Sequence, residues 1–255
     1  MTPILEVRRL SHRYISDTCA LEDVSFQVEA GEKLAVVGAN GAGKSTLLHL
    51  LVGLLRPTTG EILVDGIHIE PRNLPAVRRV IGLLVQDPDD QLFLPTVSED
   101  IAFGPRNLGL PPDEVERRVT DALQRVQATH LRHRAPHHLS AGEKRRCALA
   151  AVLALHPRIL ALDEPTTHLD PRARRGLVAL LKSLPTTLIL VTHDMALAWD
   201  LCDRVLVLHK GRPAADGPMK DVAVDAARME AWGLEVPCQA RDGSPTASPP
   251  PPARA

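Results

Sequence analysis

Aromatic residues make up only 2% of this 255-residue chain, so any core it builds must be aliphatic. An excess of one charge is also missing. Lys plus Arg total 30 and Asp plus Glu 31, a net charge of -1, which excludes the overall basic surplus that nucleic-acid binders carry. No apolar run approaches the ~20 residues that span a bilayer. The longest, Cys147–Leu155, is closed by Arg146 and His156. The opening residues MTPILEVRRL lack a signal-peptide pattern. Cys19, Cys147, Cys202 and Cys238 are far apart and form no CxxC pair, which points to unpaired thiols in a reducing compartment. The expectation is a cytosolic chain whose membrane role, if any, needs partner chains. With 44% hydrophobic and 24% charged residues, disorder as the whole account is excluded.

The patterning is that of an α/β protein. Ile4–Leu10, Asp23–Val28 and Gly60–Val64 read as short strands, and Lys33–Val37 as a buried strand ending at glycine. Val80–Val85, Ile159–Leu162, Leu188–Val191 and Arg204–Leu208 are unbroken apolar runs suited to central parallel strands. Leucines recur at helical spacing over Lys44–Leu55. From Ser98 to Leu155 the composition turns helical, with Asp113–Gln127 a clear amphipathic helix, as expected of a helical insertion in an α/β core. Arg172–Leu184 is a further helix, with Pro171 in its first turn and Asp170 as N-cap. From Pro237 the chain is Pro, Ser, Ala and Gly, ending in PPPPARA, and is expected to be a disordered tail.

Gly38–Ser45 reads GANGAGKS, a full match to the phosphate-binding loop, between a predicted strand and a predicted helix. Glycines let backbone N–H groups turn inward around phosphate oxygens, and the helix N-terminus adds its dipole. Lys44 is placed to reach β- and γ-phosphates, and Ser45 to hold Mg²⁺. Such a loop needs a carboxylate on a neighbouring strand. ILALDE supplies Asp163 for Mg²⁺ and Glu164, one residue on, as general base for the attacking water.

Four more segments narrow the reading: QDPDDQLF (Gln86–Phe93), LSAGEKRR (Leu139–Arg146), DEPTTHLDP (Asp163–Pro171) and THD (Thr192–Asp194). With the phosphate loop, in this order and spacing, residues 4–216 resemble the nucleotide-binding subunit of ATP-binding cassette (ABC) transporters. QDPDDQLF followed by PTVSEDIAFGPRNLGL looks specifically like the cobalt/nickel and energy-coupling-factor importers. The resemblance implies an α/β fold: a P-loop NTPase core with a parallel sheet, an N-terminal antiparallel β subdomain and an inserted α-helical subdomain. It places the ATPase domain at 1–216 with the helical subdomain at about 96–155, a short helical extension at 217–236 and the tail at 237–255.

The resemblance further implies a head-to-tail dimer, with ATP between one subunit's P-loop and the partner's signature segment Ser140, Ala141 and Gly142. Gly38, Asn40, Gly41, Gly43, Lys44, Ser45 and Thr46 then bind the phosphates, and Tyr14 stacks on adenine. Gln86 contacts Mg²⁺ or the water and senses the membrane partner, and His193 contacts the γ-phosphate. Asp170 matches the segment that crosses the dimer interface. Three positions depart from the commonest family pattern: Ala141 stands where glycine is usual, Glu143 where glutamine is, and His168 at a normally small position.

Each chain carries both halves of the composite site, so a homodimer would have two competent sites; a related second ATPase is the alternative. The implied partners are a transmembrane coupling protein and a substrate-binding membrane subunit, with no nucleic acid, and the implied location is the cytoplasmic face of the membrane. A repair or translation cassette usually carries a coiled-coil insertion or a second cassette. Only 96 residues separate Lys44 from Ser140, which leaves no room for the first. The cargo is set in membrane subunits. Cobalt or nickel leads by resemblance and a vitamin such as biotin is next. His130, His133, His137 and His138 read as a solvated helix end and loop, a metal site being the alternative. Asp87, Asp89 and Asp90, with Leu92 and Phe93, are expected to form an acidic, partly apolar groove for a short helix of the membrane partner.

Overall fold

The computed structural model describes residues 3–241. The chain begins with β1 (Leu5–Arg13), β2 (Cys19–Val28), β3 (Lys33–Val37), α1 (Lys44–Leu51), β4 (Thr59–Val64) and β5 (Ile67–His68). It continues through α2 (Leu74–Val80), β6 (Ile81–Leu84), α3 (Val97–Asn107), α4 (Pro112–Arg125) and α5 (Ala141–Leu153). Next come β7 (Ile159–Asp163), α6 (Pro171–Ser183), β8 (Thr187–Thr192), α7 (Met195–Leu201), β9 (Arg204–His209) and β10 (Arg212–Pro218). Short helices α8 (Met219–Val222), α9 (Ala226–Ala231) and α10 (Cys238–Arg241) end the described chain.

The strands form two sheets. The larger has the order β10-β9-β3-β8-β7-β6, parallel throughout except for the antiparallel edge strand β10. The smaller, β2-β1-β4-β5, is antiparallel. Every residue of β7 and β8 is buried, which is why those strands read as unbroken apolar runs. Successive side chains point to opposite faces. Leu34 and Val36 of β3 therefore pack with the antiparallel sheet and α1, while Ala35 and Val37 join the core shared with α3, α4 and α5. The core is aliphatic as expected: among the described residues Phe26 is its one buried aromatic.

The structure redraws several boundaries. Val80 ends α2 instead of opening a strand, because an apolar run alone does not separate strand from buried helix. Helix α1 stops at Leu51, and Gly53 turns the chain at φ 67°. β2 starts at Cys19, four residues ahead of the expected Asp23. β10 (RPAADGP) has two prolines and no apolar alternation, and exists through its pairing with β9 at the sheet edge. Cys238–Arg241 is helical within the stretch expected to be disordered, and residues 242–255 of that expectation lie outside the described residues.

One buried carboxylate fixes the entry to α3. Asp100, only 4% exposed, accepts the N–H groups of Phe93 and Leu94, both at 3.0 Å, and its Oδ2 has no partner among the described residues. Burial pushes its carboxyl above the usual range. Its stabilising contribution is therefore complete below the unfolded pKa and is lost as pH rises through the raised folded value. Asp100→Asn keeps an acceptor and drops the charge. Relative to wild type it should gain stability between about pH 5 and pH 7, whereas Asp100→Ala, which strands both N–H groups, should lose about 1–3 kcal/mol at either pH. Urea unfolding at the two pH values checks this, and equal losses for Asn and Ala would refute it.

Candidate active site

The strand order assembles the site. β3, β8, β7 and β6 are neighbours and parallel, so their C-terminal ends lie side by side. β3 leads into Gly38–Ser45, β8 ends one residue before His193, β7 ends at Asp163 and β6 runs out towards Gln86. Ligands of open α/β sheets bind at such strand ends.

In the phosphate loop, Gly43 sits at φ 99°, and a Cβ there would lie 2.5 Å from the Ala20 carbonyl oxygen. Only glycine fits that turn. Lys44 is 7% exposed, and its ammonium donates to the carbonyls of Gly38 (2.8 Å) and Ala39 (3.0 Å). Burial lowers its pKa, and the fields of Glu164 and Asp163 oppose that shift. A buried cation at the start of α1, inside a glycine cradle, fits a polyphosphate. The Ser45 hydroxyl lies 3.5 Å from Asp163 Oδ1, and burial raises the Asp163 carboxyl while Ser45 opposes the rise. With the carboxamide of Gln86 these are hard oxygen donors of the kind Mg²⁺ takes.

Glu164 is 8% exposed and has a left-handed backbone, φ 43°. Such strain costs on the order of 1–3 kcal/mol and persists where its surroundings enforce it. Both carboxylate oxygens are engaged. Thr192 Oγ1 donates to Oε2 at 2.8 Å, while Oε1 accepts the His193 N–H at 2.9 Å and lies 2.6 Å from His193 Nδ1. Glu164 and His193 thus form one unit. Thr192, part of the THD segment but given no role in the sequence, is its third member.

Tyr14, Asn40, Gly41, Gly43, Lys44, Ser45, Thr46, Gln86, Glu164 and His193 line one cavity of about 460 Å³. Gly38 shapes the loop without lining it. The Tyr14 hydroxyl is 2.9 Å from Thr46 Oγ1, and its ring packs edge-on against His12 at 4.9 Å. Cys19, which the sequence did not single out, also lines this cavity. A second cavity of about 660 Å³ shares Ser45, Gln86 and Thr167 with the first and adds Asp163, Ala141 and Arg145.

None of Ser140, Ala141 and Gly142 lines the cavity that Lys44, Glu164 and His193 share, and of the three only Ala141 lines the second, with Ser45 and Asp163. Ser140 and Glu143 form a capping box at the start of α5, and the Ser140 hydroxyl and N–H both donate to Glu143, each at 2.8 Å. These bonds hold the Glu143 carboxyl below its usual range. The N–H groups of Ala141 and Gly142 have no acceptor among the described residues, as expected of a helix N-terminus. Ala141 is the first residue of α5 and its φ is not positive, so alanine fits where glycine is commoner. A Cβ on Gly142 would meet Ala173 of α6 at 2.9 Å. His168 adopts φ 64°, a conformation easier for glycine. Asp170 caps α6, accepting the N–H groups of Arg172 (2.8 Å) and Ala173 (2.9 Å).

The acidic groove needs correction. Leu92 is buried in the core and offers no surface anchor, and Asp89 is neutralised by Lys144 at 2.6 Å. Phe103, which the sequence reading did not single out, is exposed where Leu92 is not. It packs edge-on against Phe93 with ring centroids 5.3 Å apart, and Phe93 is 61% and Phe103 45% exposed. His137 and His138 pack ring to ring at 4.1 Å in a 3₁₀ turn ahead of α5. Among the described residues no helix is long and apolar enough to cross a membrane.

Residues 21–167 match the ABC transporter family. A putative ABC transporter ATP-binding protein of Geobacter sulfurreducens is 52% identical over 92% of this chain and 94% of its own length. The energy-coupling factor transporter ATP-binding protein EcfA of Methanothermobacter thermautotrophicus is 44% identical, over 92% of this chain and 77% of its own. Among solved structures, cbiO1 of Clostridium perfringens, described as part of the ABC transporter complex cbiONQ, superposes with a TM-score of 0.80. It is 37% identical and the match covers 95% of this chain and 99% of that one. The cassette MJ0796, a dimer in a post-hydrolysis state bound to ADP and Pi, superposes with a TM-score of 0.76 at 26% identity, covering 84% and 98%. With its phosphate loop, strand-end carboxylates and helical signature segment on this fold, the chain belongs to the ABC transporter family, as an ATP-hydrolysing subunit of the energy-coupling-factor group.

Proposed function

We propose that the chain hydrolyses ATP with Mg²⁺ at the cavity beyond the C-terminal ends of β3, β8 and β7, and thereby powers import of cobalt or nickel through an energy-coupling-factor transporter. The observation that carries the catalytic part is the Glu164–Thr192–His193 unit facing Lys44 and Ser45 across one cavity. Lys44 and the N–H groups of the loop bind the phosphates. Ser45, Asp163 and Gln86 hold Mg²⁺, which when bound neutralises charge developing on the phosphate oxygens. Glu164 takes the proton of the attacking water, and Thr192 and His193 hold its carboxylate at the angle that this needs. The exposed side of the His193 ring meets the γ-phosphate. Tyr14 stacks on adenine. The expected boundary at 216 falls inside β10, so the ATPase unit runs to Pro218 and the helical extension begins at Met219.

Ser140, Ala141 and Gly142 act on the site of a second copy. Their absence from the cavity that their own Lys44, Glu164 and His193 line, and the two N–H donors at the start of α5 without an acceptor among the described residues, support that reading. The pair is read as a homodimer on the cytoplasmic face of the membrane, joined to a coupling protein and a substrate-binding subunit. The exposed Phe93–Phe103 pair, with Asp87 and Asp90 of the same segment as Phe93, is the surface offered to the coupling protein. The cargo reading rests on the QDPDDQLF segment, with a vitamin as the second reading because the EcfA relative's name specifies no cargo.

One experiment tests both parts. A deletion strain is complemented with wild type or with Asp90→Lys, and uptake of cobalt, nickel and biotin is measured alongside ATPase activity of the isolated chain. Wild type should restore cobalt or nickel uptake. Asp90→Lys should lower uptake roughly tenfold, as reversal of an interface charge does, with ATPase activity of the isolated chain kept. Biotin uptake alone would replace the metal reading. Equal loss of both activities in the variant would show that the loop only supports catalysis.

A further inference from the structure

The Gln86 segment hangs from α5 by side chains that take no part in the proposed chemistry. Arg145 of α5 is one of the largest fully buried side chains, 2% exposed. It has no carboxylate in ion-pair contact among the described residues. Its guanidinium donates instead to two consecutive backbone carbonyls beyond β6: Nη1 to Val85 O at 2.7 Å and Nη2 to Gln86 O at 2.5 Å. The Nε of Arg145 is buried with no partner among the described residues.

Two further links join the same pair of segments. The Gln91 carboxamide spans Val85 N–H (3.4 Å) and Ala148 O of α5 (3.0 Å), and Lys144 pairs with Asp89 at 2.6 Å. Of the three, only Arg145 bonds to Gln86, the residue of this segment that lines both cavities. A buried cation without an ionic partner is costly to retain. A planar fork that grips two successive carbonyls fixes the direction of the chain between them, which a single-point ammonium does not do.

We propose that Arg145 is a positioning residue for hydrolysis: its fork clamps the Val85 and Gln86 carbonyls to α5, so that the Gln86 side chain is held towards the nucleotide cavity and moves with the signature segment on the same helix. Arg145 itself touches no reacting atom. The proposal rests on the reading that Gln86 serves hydrolysis, and the test separates the two.

Arg145→Met, Gln86→Ala and the double variant are prepared in the full chain. For each, kcat and KM for ATP are measured with Mg²⁺, together with amide hydrogen exchange. Arg145→Met should lower kcat about tenfold or more, the scale on which misplacement by an ångström acts. KM should stay within roughly twofold, because Lys44 and its loop are untouched. Exchange should quicken over residues 85–91 and remain slow in β3 and β7. Added to Gln86→Ala, Arg145→Met should lower kcat no further. A full additive loss in the double variant would overturn the proposal, as would unchanged exchange over 85–91. If Gln86→Ala alone leaves kcat at the wild-type value, the catalytic reading of Gln86 fails, and the exchange data still decide whether Arg145 holds the loop. Should Arg145→Met not fold, Arg145→Lys takes its place, since one ammonium keeps the charge but cannot span both carbonyls.

Discussion

Glu164→Gln is expected to bind ATP while hydrolysing it more slowly by a factor on the order of 10²–10⁴, the usual share of a positioned base. The geometry favours this substitution over others. The glutamine carbonyl oxygen can still accept the His193 N–H, and its amide can donate to Thr192 Oγ1 where the carboxylate had accepted. The side chain thus stays in place and only its capacity to take a proton is lost. Lys44, Ser45 and Asp163 are unaffected, so phosphate and metal binding persist. With hydrolysis blocked, ATP should hold one chain's phosphate loop against the Ser140–Gly142 segment of a second. The variant should therefore run as a dimer with ATP and Mg²⁺ and as a monomer without nucleotide. Lys44→Ala should neither bind nor dimerise. Light scattering coupled to size exclusion reads the outcome. Near wild-type turnover would remove Glu164 from its role, and a monomer with ATP bound would favour a related ATPase as partner over a second copy.

Gly43→Ala should abolish ATP binding and destabilise the chain as well. The residue has φ 99°, and a Cβ would stand 2.5 Å from Ala20 O and 2.7 Å from Leu21 Cδ2. Backbone strain and overpacking together should cost about 2–5 kcal/mol. For a chain of this size that lowers the melting temperature by roughly 5–15 °C. Gly41 is the internal comparison. Its φ is also positive, 79°, but a Cβ there meets nothing within 4 Å, so Gly41→Ala carries strain alone and should cost about 1 kcal/mol. Differential scanning calorimetry with and without ATP ranks the two. Equal melting temperatures for both variants would mean that the loop relaxes around a Cβ and that the close approach to Ala20 does not hold it.

What the sequence determined by itself is local. The phosphate loop and the helix after it are contiguous, so GANGAGKS sets its own turn once β3 is apolar and glycine stands at the positive-φ positions. Lys33–Val37 is a strand over the expected residues because both its faces are buried, and Asp170 caps α6 because its carboxylate reaches N–H groups two and three residues ahead. Where local signals were silent or ambiguous, the reading failed. β10 has no apolar alternation, Val80 lies in an apolar run that suits helix or strand, and Leu92 looks like a surface anchor until α3 to α5 cover it.

The tertiary structure decided everything that joins distant segments. Placing β8 between β3 and β7 brings Thr192 and His193 onto Glu164, 28 and 29 residues away. Folding α5 over the end of β6 brings Arg145 onto carbonyls some 60 residues earlier. It also leaves Ser140–Gly142 outside the cavity that Lys44 and Glu164 line. Motifs name these residues but not their partners. Strand order and helix docking follow from which apolar faces cover one another, and that is a property of the whole chain, not of any window within it.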